Sequence, residues 1–143
     1  MASLSVAVAC ACMLLGSLLA VNANAAPCGV VPAGTYFHEN SPIYSCNHVY
    51  HVIWQSDGNL VVYSPYRALW ASGTNGRATT STVMQGDGNL VIYGYTGAIW
   101  ATGTGPGHPG AWLNMQNDGN LVIYWYNGAG LVPIWASGTN GEV

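Results

Sequence analysis

The chain has 143 residues, half of them apolar, with 19 glycines and only seven charged side chains, two basic and five acidic. Arg67 and Arg77 alone cannot neutralise a phosphate backbone, so nucleic acid is excluded as a partner. Six Trp and nine Tyr supply material for a core, which excludes charge-driven disorder, and the glycine content demands frequent turns, so the expectation is one all-β module of short strands.

In chain order, Leu4 to Val21 is apolar with small polar interruptions and leads into Ala23-Asn24-Ala25, a small-x-small cleavage pattern. The expectation is a signal peptide over residues 1–25, cut after Ala25, and a secreted, extracellular domain over 26–143. A retained membrane anchor is the competing reading, but the stretch barely reaches the ~20 residues of a span, so no membrane insertion is expected. Cys10 and Cys12 leave with the signal. Cys28 and Cys46 remain, and in an oxidising compartment two remaining thiols are expected to form one structural disulfide. The alternative is a reactive or metal-binding pair, for which His48 and His51 offer no matching zinc spacing.

Beyond Tyr50 the sequence repeats. QSDGNLVVY (55–63), QGDGNLVIY (85–93) and QNDGNLVIY (116–124) follow at offsets of 30 and 31 residues, and each leads to a second signature at Trp70, Trp100 or Trp135. The last unit carries four extra residues around Asn127-Gly128-Ala129-Gly130. Three units of this period suit a closed pseudo-threefold arrangement better than an open solenoid, which would need polar caps.

Apolar alternation on both sides of Asp-Gly reads as a β-hairpin. With a three-residue loop and Gly58 left-handed, Gln55 lies opposite Asn59 and Ile53 opposite Val61. Gln55, Asn59, Val61 and Tyr63 then share one polar face, and Trp54, Leu60 and Val62 point to the core. The second hairpin presents Gln85, Asn89, Val91 and Tyr93, the third Gln116, Asn120, Val122 and Tyr124. Asp57, Asp87 and Asp118 sit at the rims. Trp70, Trp100 and Trp135 recur once per unit and are expected to meet near the pseudo-threefold axis as core. Trp54, Trp112 and Trp125 do not repeat, and Tyr95 and Tyr126 either flank a site or decorate a strand.

Three of only five acidic residues occupy one motif position. An ordinary turn accounts for Asp-Gly, because Asp hydrogen-bonds its own backbone, but not for Gln and Tyr at fixed offsets in every copy. Gln and Asn donate and accept, Asp accepts, Tyr offers a hydroxyl and Val an apolar patch, a set that matches a polyol ring with an apolar C–H face.

Gln55-Asp57-Asn59-Val61-Tyr63, Gln85-Asp87-Asn89-Val91-Tyr93 and Gln116-Asp118-Asn120-Val122-Tyr124 each match Q-x-D-x-N-x-V-x-Y at all five positions. This is the mannose-binding motif of the monocot mannose-binding, or bulb-type, lectins, which the chain resembles from about Gly34 to Gly141. The resemblance implies a β-prism II fold, with three four-stranded antiparallel sheets around a pseudo-threefold axis and one shallow sugar site per sheet. It implies that Asp57 and Asn59 engage the axial 2-hydroxyl of mannose, Gln55 the 3-hydroxyl and Tyr63 the 4-hydroxyl, with Val61 against the ring carbons, and likewise in the other two copies. It also implies mannose-containing glycans and glycoproteins as partners and a homodimer or tetramer formed by exchange of C-terminal strands. The Cys28 to Cys46 spacing departs from the pattern, tying down only the N-terminal region, where similar lectins commonly carry a bridge further into the fold.

Other function classes fit less well. Glycoside hydrolysis needs two carboxylates ~5 to 9.5 Å apart, and the motif aspartates are about 30 residues apart on different units, with Glu39 and Glu142 solitary, so no catalytic residues and no enzyme are expected. Calcium wants six to eight oxygens with several carboxylates, and each motif has one, so no metal or other cofactor is expected. A defence or toxin-like module aimed at another glycan or a protein is the alternative function.

Overall fold

The computed structural model describes residues 26–143; the signal-peptide reading lies outside the described residues. Twelve strands and no helix form among these residues. They are β1 (Val30–Val31), β2 (Thr35–Tyr36), β3 (Ile43–Tyr44), β4 (His51–Trp54), β5 (Leu60–Tyr63) and β6 (Ala68–Ala71). After them come β7 (Thr79–Met84), β8 (Leu90–Gly94), β9 (Gly97–Ala101), β10 (Trp112–Met115), β11 (Leu121–Tyr126) and β12 (Leu131–Ala136).

Three four-stranded sheets result, ordered β3-β4-β5-β6, β2-β7-β8-β9 and β1-β10-β11-β12, with every pairing antiparallel. The all-β, three-sheet expectation is met, with one addition. Each repeat supplies only three strands. The fourth comes from the non-repeating N-terminal stretch, which gives one short strand to each sheet in reverse order: β1 to the third repeat, β2 to the second, β3 to the first. Two-residue strands with no alternation to betray them are invisible to pattern reading.

The hairpin register follows the expectation, with Ile53 opposite Val61 and Trp54 opposite Leu60, and the other two repeats alike. Gly58, Gly88 and Gly119 close the turns at φ of 90, 96 and 90°. A Cβ there would lie 2.5 Å from the Arg77 carbonyl oxygen, 2.6 Å from His108 or 2.9 Å from the Tyr50 ring, so glycine answers both the left-handed backbone and the close approach.

Inward residues of all three sheets form one core, including Val52, Trp54, Leu60, Val62, Met84, Leu90, Ile92, Leu113, Met115, Leu121 and Ile123. Trp70, Trp100 and Trp135 meet edge to face at centroid separations of 5.4 to 6.2 Å, as expected, and pack half-buried against that core. The extra residues of the third unit lengthen its hairpin: the Asn127 side chain accepts the Ala129 and Gly130 amides at 2.9 Å, and Tyr124 keeps its place.

Candidate functional site

Each motif side chain has a structural duty as well as a free end. In the first turn the Asp57 Oδ1 accepts the Asn59 amide at 2.9 Å, and the second and third turns repeat this at 3.0 Å. The Asn59 Oδ1 accepts from the Ser72 hydroxyl and the Thr74 amide, both at 3.1 Å, latching the loop after β6 onto the turn. Asn89 holds Thr102, Gly103 and Thr104 in the same way, and Asn120 holds Ser137, Gly138 and Thr139. The Gln55 amide donates to the Tyr63 hydroxyl at 2.8 Å, Gln116 to Tyr124 at 2.6 Å, and Gln85 to Tyr93.

A β-bulge falls just before each motif tyrosine, between Val62/Tyr63, Ile92/Tyr93 and Ile123/Tyr124, in the pairing to the last strand of each sheet. Sequence pattern does not locate these bulges.

What remains unbonded among the described residues is the same in all three turns: the Gln Oε1, the second Asp oxygen, the Asn Nδ2 and the Tyr O–H hydrogen. Each motif therefore keeps two acceptors and two donors free. The expectation that the valines share a wet face is corrected: Val61, Val91 and Val122 are only 2, 2 and 3% exposed. The Gln-to-Tyr bond runs diagonally across each strand pair above the valine, so Val is the floor of the patch and not part of its rim.

The three patches differ in their surroundings. Opposite the motif tyrosine stands His51, Ser81 or Trp112. His51 stacks on Tyr63 at 5.3 Å with Tyr44 on its other side at 5.2 Å, and burial lowers its pKa from the ordinary 6.5. In the second patch Gly105 lies so close that a Cβ would sit 2.7 Å from the Asp87 carboxylate, leaving Asp87 half-covered where Asp57 and Asp118 are exposed; Tyr36 and Gly34 wall a cleft beside Gln85, Asp87 and Tyr93.

Cys28 and Cys46 are bridged, with Cα atoms 5.0 Å apart. The bridge ties down the N-terminal region, as expected, and that region lies against the third site. Together with Pro27 and Val30 the bridge walls a cleft of ≈ 490 Å³ containing Asn114, Gln116 and Asp118 of the third patch. Beside it, Asn47 donates to Asn117 twice, at 2.9 and 3.1 Å, clamping the third motif's own turn. β1 brings the N-terminal segment to the third repeat, and its two-residue length hid that from the sequence. Tyr95 and Tyr126 project from hairpin tips, 86 and 58% exposed, and line no described cleft.

Among the described residues no group of three or more His, Cys, Asp or Glu side chains could hold a metal ion. The acidic residues outside the motifs are scattered, with Glu142 paired to Arg67 at 3.1 Å.

Among solved structures, the chain is similar to the monomeric monocot mannose-binding lectins of Gastrodia elata, at 42% identity over 78% of this chain and 98% of that one, with a TM-score of 0.69. The chain belongs to the monocot mannose-binding lectin family. Two further members of this kind are lectins crystallised with sugar. The snowdrop (Galanthus nivalis) mannose-specific agglutinin, complexed with methyl-α-D-mannoside, is 30% identical over 78% of this chain and 97% of that one, with a TM-score of 0.62. The Polygonatum cyrtonema lectin, complexed with a monomannoside, is 30% identical over 71% and 97%, with a TM-score of 0.61. Neither a protein-family model nor a curated protein matches the sequence. As a lectin of this family with the β-prism II fold, the protein is not an enzyme.

Proposed function

We propose that the protein is a secreted lectin that binds mannose-containing glycans through its three Q-x-D-x-N-x-V-x-Y motifs without calcium. The observation that carries the reading is the unbonded quartet in each patch, Gln Oε1, Asp Oδ2, Asn Nδ2 and Tyr O–H. Adjacent sugar hydroxyls each donate and accept, so alternating acceptors and donors over an apolar floor suit them. In this reading Asp57 and Asn59 hold the 2-hydroxyl, Gln55 the 3-hydroxyl, Tyr63 the 4-hydroxyl, and the Val61 floor limits how deeply the ring sits. One carboxylate per patch supports calcium independence. The small-x-small site at Ala23 to Ala25 and the Cys28–Cys46 bridge support secretion.

A shallow patch of this kind binds one sugar at about millimolar strength, and three on one chain raise apparent affinity for branched glycans by about 10² to 10⁴ when engaged together. Calorimetry with methyl α-mannoside on Asp57→Asn, Asp87→Asn and Asp118→Asn tests the assignment. Asparagine keeps the turn acceptor and removes the anionic one, so each variant should lose one site of three while staying folded. Unchanged stoichiometry in all three variants, or loss of binding in EDTA, overturns the reading. Light scattering separates the dimer or tetramer implied by the resemblance from a monomer, and the secreted chain should begin at Ala26.

A further inference from the structure

We propose that the third site is longer than the other two: beside the Gln116 to Tyr124 motif, Trp112, Asn114 and Val30 form a subsite for a second pyranose of a glycan whose first residue occupies the motif. This rests on the mannose reading of that motif. The outward row of each hairpin's first strand is His51, Ile53, Gln55 in the first repeat, Ser81, Val83, Gln85 in the second, and Trp112, Asn114, Gln116 in the third. The third alone adds an amide and an indole. Asn114 stands opposite Val122 and Trp112 opposite Tyr124, so both flank the motif on the neighbouring strand, with Val30 of β1 next to Asn114 on the far side.

Both added side chains are free to act. Asn114 is half-buried on the wall of the cleft it shares with Gln116 and Asp118, and its amide has no hydrogen-bond partner among the described residues. Trp112 is not packed into the core: its ring tilts beside Tyr124 at 6.3 Å and 33°. Its Nε1 has no protein partner and is not among the buried unpaired polar atoms, so it faces water. The motif's cleft shares Pro27 and Val30 with a neighbouring apolar one of ≈ 560 Å³ that is also lined by Trp112 and Pro32. That size is within the about 300–1,000 Å³ usual for ligand sites.

A pyranose fits this surface better than a wholly apolar group or a charged one. Its C–H face can lie on the indole and Val30, and its edge hydroxyls can meet the Asn114 amide and the Trp112 N–H. In the first repeat the matching ring, His51, is covered on one side by Tyr44 and on the other by Tyr63, and in the second, Ser81 offers no surface.

The test uses the full secreted chain carrying Asp57→Asn and Asp87→Asn, so that the third site alone reports. Methyl α-mannoside is compared by calorimetry with the methyl glycosides of α-1,2-, α-1,3- and α-1,6-mannobiose. At least one disaccharide should bind about tenfold tighter than the monosaccharide. That ratio should fall towards one in Trp112→Ser and drop severalfold in Asn114→Val, the residues of the second repeat. The same disaccharide, and not the monosaccharide, should shift tryptophan fluorescence in a Trp112-dependent way. Equal affinities for all four ligands, or an advantage that survives Trp112→Ser, overturn the proposal. If the double variant binds no methyl α-mannoside at all, the mannose reading of the third motif falls, and the proposal with it.

Discussion

Opening the Cys28–Cys46 bridge should do two separable things. The bridge closes an 18-residue separation, for which the chain-entropy estimate is about 3 kcal/mol of stability. For a domain of this size that corresponds to a fall in Tm of roughly 12 °C. The second effect is local. The N-terminal segment is held by the pairing of β1 with β10 and by the Gly29 carbonyl accepting the Met115 amide at 2.8 Å; ahead of these, the Val30 amide donates to Pro27 at 3.0 Å and Cys28 is fixed by its bond to Cys46. On the other side, Ser45 is tied to Tyr50 by its amide at 2.9 Å and by its hydroxyl, so the loop bearing Asn47 keeps its base when the bridge opens. The wall of Pro27 and Cys28 therefore loosens while the Asn47 clamp on Asn117 persists. Losing one wall of a shallow cleft should weaken the third site by about three- to tenfold, roughly 1 kcal/mol. The Cys28→Ser/Cys46→Ser variant, followed by thermal melting and by calorimetry with methyl α-mannoside, should show a lower Tm, two unchanged sites and one weakened site. Three sites with unaltered affinity would refute the wall argument, and a Tm within about 2 °C of the parent would refute the entropy argument.

Asn120→Ala removes an acceptor that serves three donors and should cost about 2 kcal/mol in a urea melt. Asn120→Asp should recover most of that stability while abolishing the third site, and equal melts for the two variants would contradict the latch. Thr82→Val should stabilise by about 1 kcal/mol, because the Thr82 hydroxyl is buried without a partner and Val52 fills the matching place in the first repeat; a loss of stability would mean the hydroxyl is bonded. The His51 pKa is lowered by burial, so the unfolded chain takes up its proton first, and this contribution to stability, full above pH 6.5, declines as pH falls through that value towards the folded pKa. An NMR titration should place His51 below 6.5, and His51→Gln should flatten the stability profile in that window; a pKa at or above 6.5 would reverse the sign.

The hairpins were legible because three constraints coincide in nine residues. Alternation sets the faces, Asp-Gly sets the loop length, and Gln opposite Asn then fixes every other pair in the register. The same count places Trp112 opposite Tyr124, so the asymmetry of the third site was within reach of the sequence; the non-repeating tryptophans held it. The strands β1, β2 and β3 were not legible, since two residues each carry no period, and with them went the position of the cystine. The bulges before Tyr63, Tyr93 and Tyr124 were hidden for a different reason: they depend on how the third strand of each repeat pairs, not on the motif itself.

Each polar side chain of the motif divides its atoms between the fold and the patch. One Asp oxygen closes the turn and the other is free; the Asn oxygen latches a loop and its nitrogen is free; Gln and Tyr bond each other and leave an acceptor and a donor. Fold and proposed patch draw on the same residues through different atoms, so a turn-only account of Asp does not conflict with a binding account of the whole set. It also dictates which substitutions are informative. Alanine at Asp57 or Asn59 removes the structural atom with the free one, so lost binding there would be confounded with a loosened hairpin. Asp57→Asn and Asn59→Asp exchange only the free atom's character. If these isosteres keep the melt of the parent and lose the sugar, the free atoms make the site; if they keep both, the motif is there for the turn.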